Sequence, residues 1–156
     1  MSISVNISPK DFYYIDIFNT FAGLIKKYDI EPSNLKIEIT ETTIMSDVPN
    51  LMGELEELRK AGFTLEMDDF GSGYSSLNTL KDINVDVLKV DMGFIKETKN
   101  VKKSRIILAS VIKMAKELNL LIITEGVETE EQVDNLTKLG CDVCLLYTSP
   151  SPRDTR

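Results

Sequence analysis

Short runs of alternating apolar and polar residues, each followed by a helical stripe, set the strongest limit on how this chain folds. Ile3 to Ile7, Leu35 to Thr40, Phe63 to Asp68, Val85 to Asp91 and Leu120 to Glu125 read as strands. In the first three, one face is apolar (Ile3, Val5, Ile7; Leu35, Ile37, Ile39; Phe63, Leu65, Met67). The other face carries Ser4, Asn6, Lys36, Glu38, Thr40, Thr64, Glu66 and Asp68. Strand and helix in alternation argue for right-handed crossovers and a parallel sheet. A doubly wound sheet, covered on both faces, would read as nearly continuous apolar strands. One-sided strands fit an α/β fold of the (β/α)8 barrel type. There the apolar side lies under the outer helices, and the inward side turns polar toward the carboxyl ends, where such barrels keep their active sites.

The helical stripes are legible from their spacing and their ends. Tyr14, Phe18, Phe21, Ile25 and Tyr28 follow Ser8-Pro9-Lys10-Asp11, which offers an N-cap serine, a proline for the first helical position and a capping acid. Val48, Leu51, Met52, Leu55 and Leu58 form a second stripe closed by Gly62, and Ile107, Val111, Met114, Ala115 and Leu118 a third. Val133, Leu136 and Leu139 form a fourth, between a Thr129 to Gln132 capping box and Gly140.

With 156 residues, 42% hydrophobic and 28% charged, the chain has the length and mix of one ordinary soluble domain. It shows no apolar run of the roughly 20 residues that cross a bilayer and no signal-peptide layout, so the expected compartment is the cytoplasm. A formal charge of -7 argues against a nucleic-acid polymer as partner. The basic run Lys96, Lys99, Lys102, Lys103 and Arg105 reads as the solvated start of a helix. The absence of histidine excludes Ser-His-Asp triads and imidazole metal sites. Cys141 and Cys144 form a C-x-x-C pair with no second pair and no histidine to complete a mixed metal site.

Chemistry concentrates where the strands end. Asn6, Glu38, Asp68, Lys89 and Glu125 each stand near the carboxyl end of a different strand. Singly, each has a structural explanation as a turn former, a solvated strand residue or a loop acid. Together with Asp69 they make an oxygen-rich set suited to hard cations such as Mg²⁺ or Mn²⁺. Adjacent aspartates repel and a glycine-flanked loop spends backbone entropy, so "DDFGSGYSS" costs stability unless a cation binds there. Two such ions can clamp both oxygens of a phosphoryl displacement. Asp69-Phe70-Gly71 is also a protein-kinase metal motif, but no H-R-D loop or glycine-rich nucleotide loop precedes it.

"SVNIS" at Ser4 to Ser8, "EITE" at Glu38 to Glu41, "DDFGSGYSSL" at Asp68 to Leu77, "LKVD" at Leu88 to Asp91, "EGVET" at Glu125 to Thr129 and "LGCD" at Leu139 to Asp142 closely resemble the EAL-domain cyclic-di-GMP phosphodiesterases. The match is collinear and covers about residues 1 to 143. The resemblance implies a barrel of the kind inferred above and hydrolysis of cyclic di-GMP to linear pGpG with two Mg²⁺ or Mn²⁺ ions. It makes Asn6, Glu38 and Asp68 ligands of one metal, with Asp68 and Asp69 reaching the second. Lys89 would hold or orient the attacking water, Asp91 would support the metal shell, and Glu125 would act as metal ligand or general base. Glu41 would pin the loop Phe70 to Ser76, including Gly71, Gly73 and Ser75, which shapes the second metal site and a homodimer contact. Glu128 would steady the neighbouring loop. No substrate-binding residue is assigned.

Departures from the family pattern set further expectations. The glutamate of the Glu-Ala-Leu signature, a metal ligand, belongs on a strand upstream of Ser4. Met92-Gly93 stands in place of the usual Arg-Ser, which bears on substrate contacts. After "GCD" and two variable positions the family has Gln-Gly-Tyr, where this chain has Leu145, Leu146 and Tyr147. "CLLYTSPSPRD", Cys144 to Asp154, looks like a translated sequencing adapter. The expected division is a partial EAL domain over residues 1–143 and a non-native disordered tail over 144–156. Such a piece, five strands and the stub of a sixth against the roughly 250 residues of a full barrel, is expected to fold poorly and to be inactive by itself. The intact parent, which other domains could attach to a membrane, would be the enzyme. A second reading is a catalytically silent receptor for cyclic di-GMP or a partner protein. A barrel lyase would need a carbonyl-activating lysine or histidine set that Lys89 alone does not provide.

Overall fold

The computed structural model describes residues 2–70, 76–93 and 101–146. The chain divides into two compact units, Met1–Leu88 and Lys89–Arg156. Within each unit the hydrogen-bonded strands follow chain order, as a βα repeat requires.

The first unit opens with β1 (Ile3–Asn6), α1 (Pro9–Tyr14) and α2 (Ile17–Lys27). The single helix expected here is two. Ser8 and Asp11 form the expected cap, the Ser8 N–H donating to Asp11 Oδ2 at 2.8 Å. Ile15 then turns extended, and Asp16 starts a new helix by accepting the Asn19 N–H at 3.2 Å. Tyr14, counted in the apolar stripe, is consequently exposed, while Ile17 and Phe21 are buried. β2 (Leu35–Thr40) is followed by a short α3 (Glu41–Ile44) that the stripes did not announce, then α4 (Leu51–Lys60), β3 (Thr64–Phe70) and α5 (Ser76–Asp82). β1, β2 and β3 run parallel, with Ile37 opposite Val5 on one side and Leu65 on the other. The apolar parity holds in β2 and β3, where Ile37, Ile39, Leu65 and Met67 are buried together with Leu55 and Leu58 of α4, whereas Ile3 of β1 is exposed. Phe21 and Phe63 meet with ring centroids 6.2 Å apart. Each such side chain contributes about 1.5–3 kcal/mol by leaving water.

β4 (Val87–Asp91) closes the first unit with its first two residues and opens the second with its last three. The second unit continues with α6 (Val101–Glu117), β5 (Leu121–Val127), α7 (Glu130–Leu139) and β6 (Val143–Leu146), β5 and β6 being parallel. The α6 face differs in part from the expected stripe: Ala115 is buried as expected, together with Ser104, Leu108 and Ile112, whereas Ile107 and Leu118 are exposed. Both rows have helical spacing, so the pattern alone does not choose between them. α7 keeps its capping box, Gln132 N–H to Thr129 Oγ1 at 3.2 Å and Thr129 N–H to Gln132 Oε1 at 3.3 Å. β6 takes in Cys144, Leu145 and Leu146, beyond the boundary expected at residue 143; residues 147–156 lie outside the described residues.

Candidate active site

In the first unit, strand register brings the expected residues to one end of the sheet. Asn6 lies opposite Glu38, Glu38 opposite Glu66, and Thr40 opposite Asp68. The Ile7 N–H donates to the Glu38 carbonyl at 3.0 Å, which fixes the β1 terminus beside β2. Glu38 is only 9% exposed and Glu66 only 2%. Carboxylates are rarely placed so deep unless charge or hydrogen bonding compensates. Glu66 is the residue to which the sequence reading gave no role. Its signal was the strand parity, which set it on the same polar face as Asp68.

Asp68 and Asp69 stand just before the end of β3, where the strand is distorted. Asp69 has φ 55°, the left-handed region, and its N–H donates to Asp68 Oδ1 at 2.9 Å. The conformation breaks the two-residue alternation of the strand and costs roughly 1–2 kcal/mol for a residue bearing a Cβ. Strain of this kind collects at functional positions. After the strand end of β2, Thr40 caps α3 by accepting the Thr43 N–H at 3.2 Å, and Glu41, the next residue, is buried. Gly71, Gly73 and Ser75, expected to shape the loop, lie outside the described residues.

In the second unit, Lys89 Nζ lies 3.5 Å from Glu125 Oε2, with both side chains largely shielded from solvent. Two residues named separately in the sequence, near the ends of different strands, are thus joined. Asp91 stands at the end of β4, where its Oδ1 accepts the Gly93 N–H at 2.9 Å. Met92, in place of the family's arginine, is buried and lines a cavity of about 530 Å³ with Leu108 and Leu136. Glu128 is held through its backbone, its N–H donating to Gln132 Oε1 at 2.8 Å.

The cysteines stand apart from this chemistry. Their sulfurs are 3.7 Å apart as thiols, and burial pushes the Cys141 thiol up, partly opposed by its hydrogen bond with Thr124. That is the reverse of what a reactive thiolate needs.

Residues 1–145 match the family model described as EAL domain. Among curated proteins, the chain is 38% identical over 141 residues to the bifunctional diguanylate cyclase/cyclic di-GMP phosphodiesterase MucR of Pseudomonas aeruginosa. It is 32% identical over 154 residues to the cyclic di-GMP phosphodiesterase RocR of the same species. These alignments take in 90% and 97% of this chain but 21% and 39% of those proteins, so the chain spans well under half of their length. Among solved structures, it matches a PaMucR phosphodiesterase in complex with c-di-GMP at TM-score 0.78 and 38% identity, over 90% of this chain and 57% of that one. It matches a manganese/cy-diGMP complex of Klebsiella pneumoniae BlrP1 at TM-score 0.83 and 28% identity, over 94% of this chain and 38% of that one. The expected fold class is therefore the observed one, an α/β fold of the TIM-barrel type, and this chain belongs to the EAL domain family.

Proposed function

We propose that the protein carrying this chain is a divalent-metal-dependent phosphodiesterase that opens cyclic di-GMP to linear pGpG. Membership of the EAL family supports the reaction class, and relatives named as cyclic di-GMP phosphodiesterases support the substrate. The observation that carries the reading is Glu38, a buried carboxylate on the inward face of β2 in register with Asn6.

The donors fit hard cations. Asn6, Glu38, Asp68, Asp69 and Glu125 offer amide and carboxylate oxygens, and the chain has no histidine. By family resemblance, Asn6, Glu38 and Asp68 would hold one Mg²⁺ or Mn²⁺, and Asp68 and Asp69 a second. Bound there, such ions neutralise charge on a phosphodiester and lower the pKa of water. Lys89 would orient the attacking water, with Glu125 as metal ligand or proton acceptor. The Lys89–Glu125 pair directs the lysine ammonium, which suits that task. Glu41 and Glu128 would steady the loops that flank the site, and the family's dimer is the expected assembly.

The test is conversion of cyclic di-GMP to pGpG by the full-length protein, followed by chromatography with Mg²⁺ or Mn²⁺ and again with EDTA. Turnover is expected with either metal and lost with chelator. Asp68→Ala and Glu125→Ala are each expected to lower kcat/KM at least about a hundredfold. Turnover that survives chelation or either substitution overturns the reading.

A further inference from the structure

The corner that carries Glu125 is held from one side by the end of β4. The Met92 N–H donates to the Glu125 carbonyl at 2.8 Å. The following residue, Gly126, is left-handed at φ 78°, and a Cβ added there would lie 3.0 Å from Asp91 Oδ1 and 3.6 Å from Met92 Cβ. Only glycine satisfies both the dihedral and the space. At the same place the pairing of β5 with β6 shifts register, between Glu125 and Val127. A register shift leaves a strand without ladder bonds to define its course. The turn Asp91-Met92-Gly93 supplies what the ladder does not, and Asp91 Oδ1 closes that turn on the Gly93 N–H at 2.9 Å.

We propose that Asp91 is a positioning residue. It holds the Met92–Gly93 turn against Gly126 and so fixes the backbone from which Glu125 presents its carboxylate to Lys89. The inference rests on the reading of Glu125 as a working carboxylate and differs from the family resemblance, which placed Asp91 in the metal shell. A positioning role needs an oxygen acceptor at residue 91, whereas a ligand role needs its charge. Asparagine supplies the first without the second.

Asp91→Asn, Asp91→Ala and Gly126→Ala, each in the full-length protein, separate the two. Three readouts apply: amide hydrogen exchange of the peptide containing Met92 and Gly93, Mn²⁺ affinity by electron paramagnetic resonance titration, and kcat against KM. Asp91→Asn is expected to keep the amide protection and an Mn²⁺ Kd within about threefold of the parent. Asp91→Ala and Gly126→Ala are expected to lose the protection and to lower kcat about tenfold or more, with KM changed less. If Asp91→Asn weakens Mn²⁺ binding as much as Asp91→Ala does, Asp91 is a ligand and the proposal fails. It fails equally if Asp91→Ala leaves the amides protected. Should Gly126→Ala not fold, the two Asp91 variants decide the matter alone. A parent protein that turns over no cyclic di-GMP defeats the functional reading, while amide exchange still decides whether Asp91 holds the corner.

Discussion

Three carboxylates far from one another in sequence show how environment decides what an acid contributes. Asp142 is partly buried, which opposes ionisation, but the Lys116 ammonium and the Ile122 N–H outweigh this and hold its carboxyl below the usual range. A folded pKa below the unfolded one contributes stability that is present above the unfolded value and lost as pH falls through the folded one. Asp142→Asn is therefore expected to flatten the loss of melting temperature below about pH 4, measured by thermal melts across pH. Glu54 shows the opposite sign. Burial, then Asp16 and Glu57, raise its pKa, and its Oε2 is buried with no hydrogen-bond partner among the described residues. Its charge costs stability at neutral pH, so Glu54→Gln is expected to raise the melting temperature at pH 7 and to lose that advantage near pH 4. Asp69 is the acid for which metal binding is proposed. Asp69→Gly, freed of left-handed strain, is expected to gain about 1 kcal/mol of stability by denaturant titration while losing Mn²⁺ affinity by calorimetry. A variant that gained neither stability nor lost affinity would remove Asp69 from the site.

Among the elements, two devices recur. Among the described residues, four helix ends close on a left-handed residue: Asp29 after α2, Gly62 after α4, Asn119 after α6 and Gly140 after α7. In each, the following N–H returns five residues, as Phe63 does to the Leu58 carbonyl at 3.2 Å and Leu120 to the Ala115 carbonyl at 2.8 Å. The glycines announced two of these ends, while Asp29 and Asn119 were silent because acids and amides are common in any exposed turn. Asn119→Gly is expected to raise stability by a few tenths to about 1 kcal/mol in denaturant titration, since glycine has no left-handed penalty. The second device is an aspartate before a strand. Asp86 Oδ2 accepts the Leu65 N–H at 2.9 Å while its Oδ1 pairs with Arg59 of α4 at 3.2 Å. Asp142 repeats this with the Ile122 N–H and Lys116 of α6. Each ties a strand start to the preceding helix at the amino end of the sheet, the end that serves stability in barrels. Asp86→Ala, which leaves the Leu65 N–H without that acceptor, is expected to cost about 1–3 kcal/mol.

For the whole molecule, the proposed metals tie folding to function. A ligand that binds only the folded state stabilises by about 2.7 kcal/mol at a hundred times its Kd. Mn²⁺ is therefore expected to raise the melting temperature of the full-length protein, and Asp68→Ala to abolish the rise. A rise of equal size in the variant would place the ions elsewhere. Among the described residues, no helix is long and apolar enough to cross a membrane.

Local patterns carried much of this protein. Strand parity, capping boxes and glycine stops depend on residues within a few positions of one another, and they specified β2, the caps of α1 and α7 and the ends of α4 and α7. The collinear motifs, from Asn6 to Glu128, named the residues proposed for the site. Other choices turned on contacts that no local window contains. α6 has two rows of helical spacing that share Ala115, and only tertiary packing picks Leu108 and Ile112 over Ile107 and Leu118. The burial of Glu66 opposite Glu38 and the hold of Asp91 on the Glu125 corner arise from strand register and close approach. Those are settled when distant segments meet, because the free energy that decides them is released only on their contact.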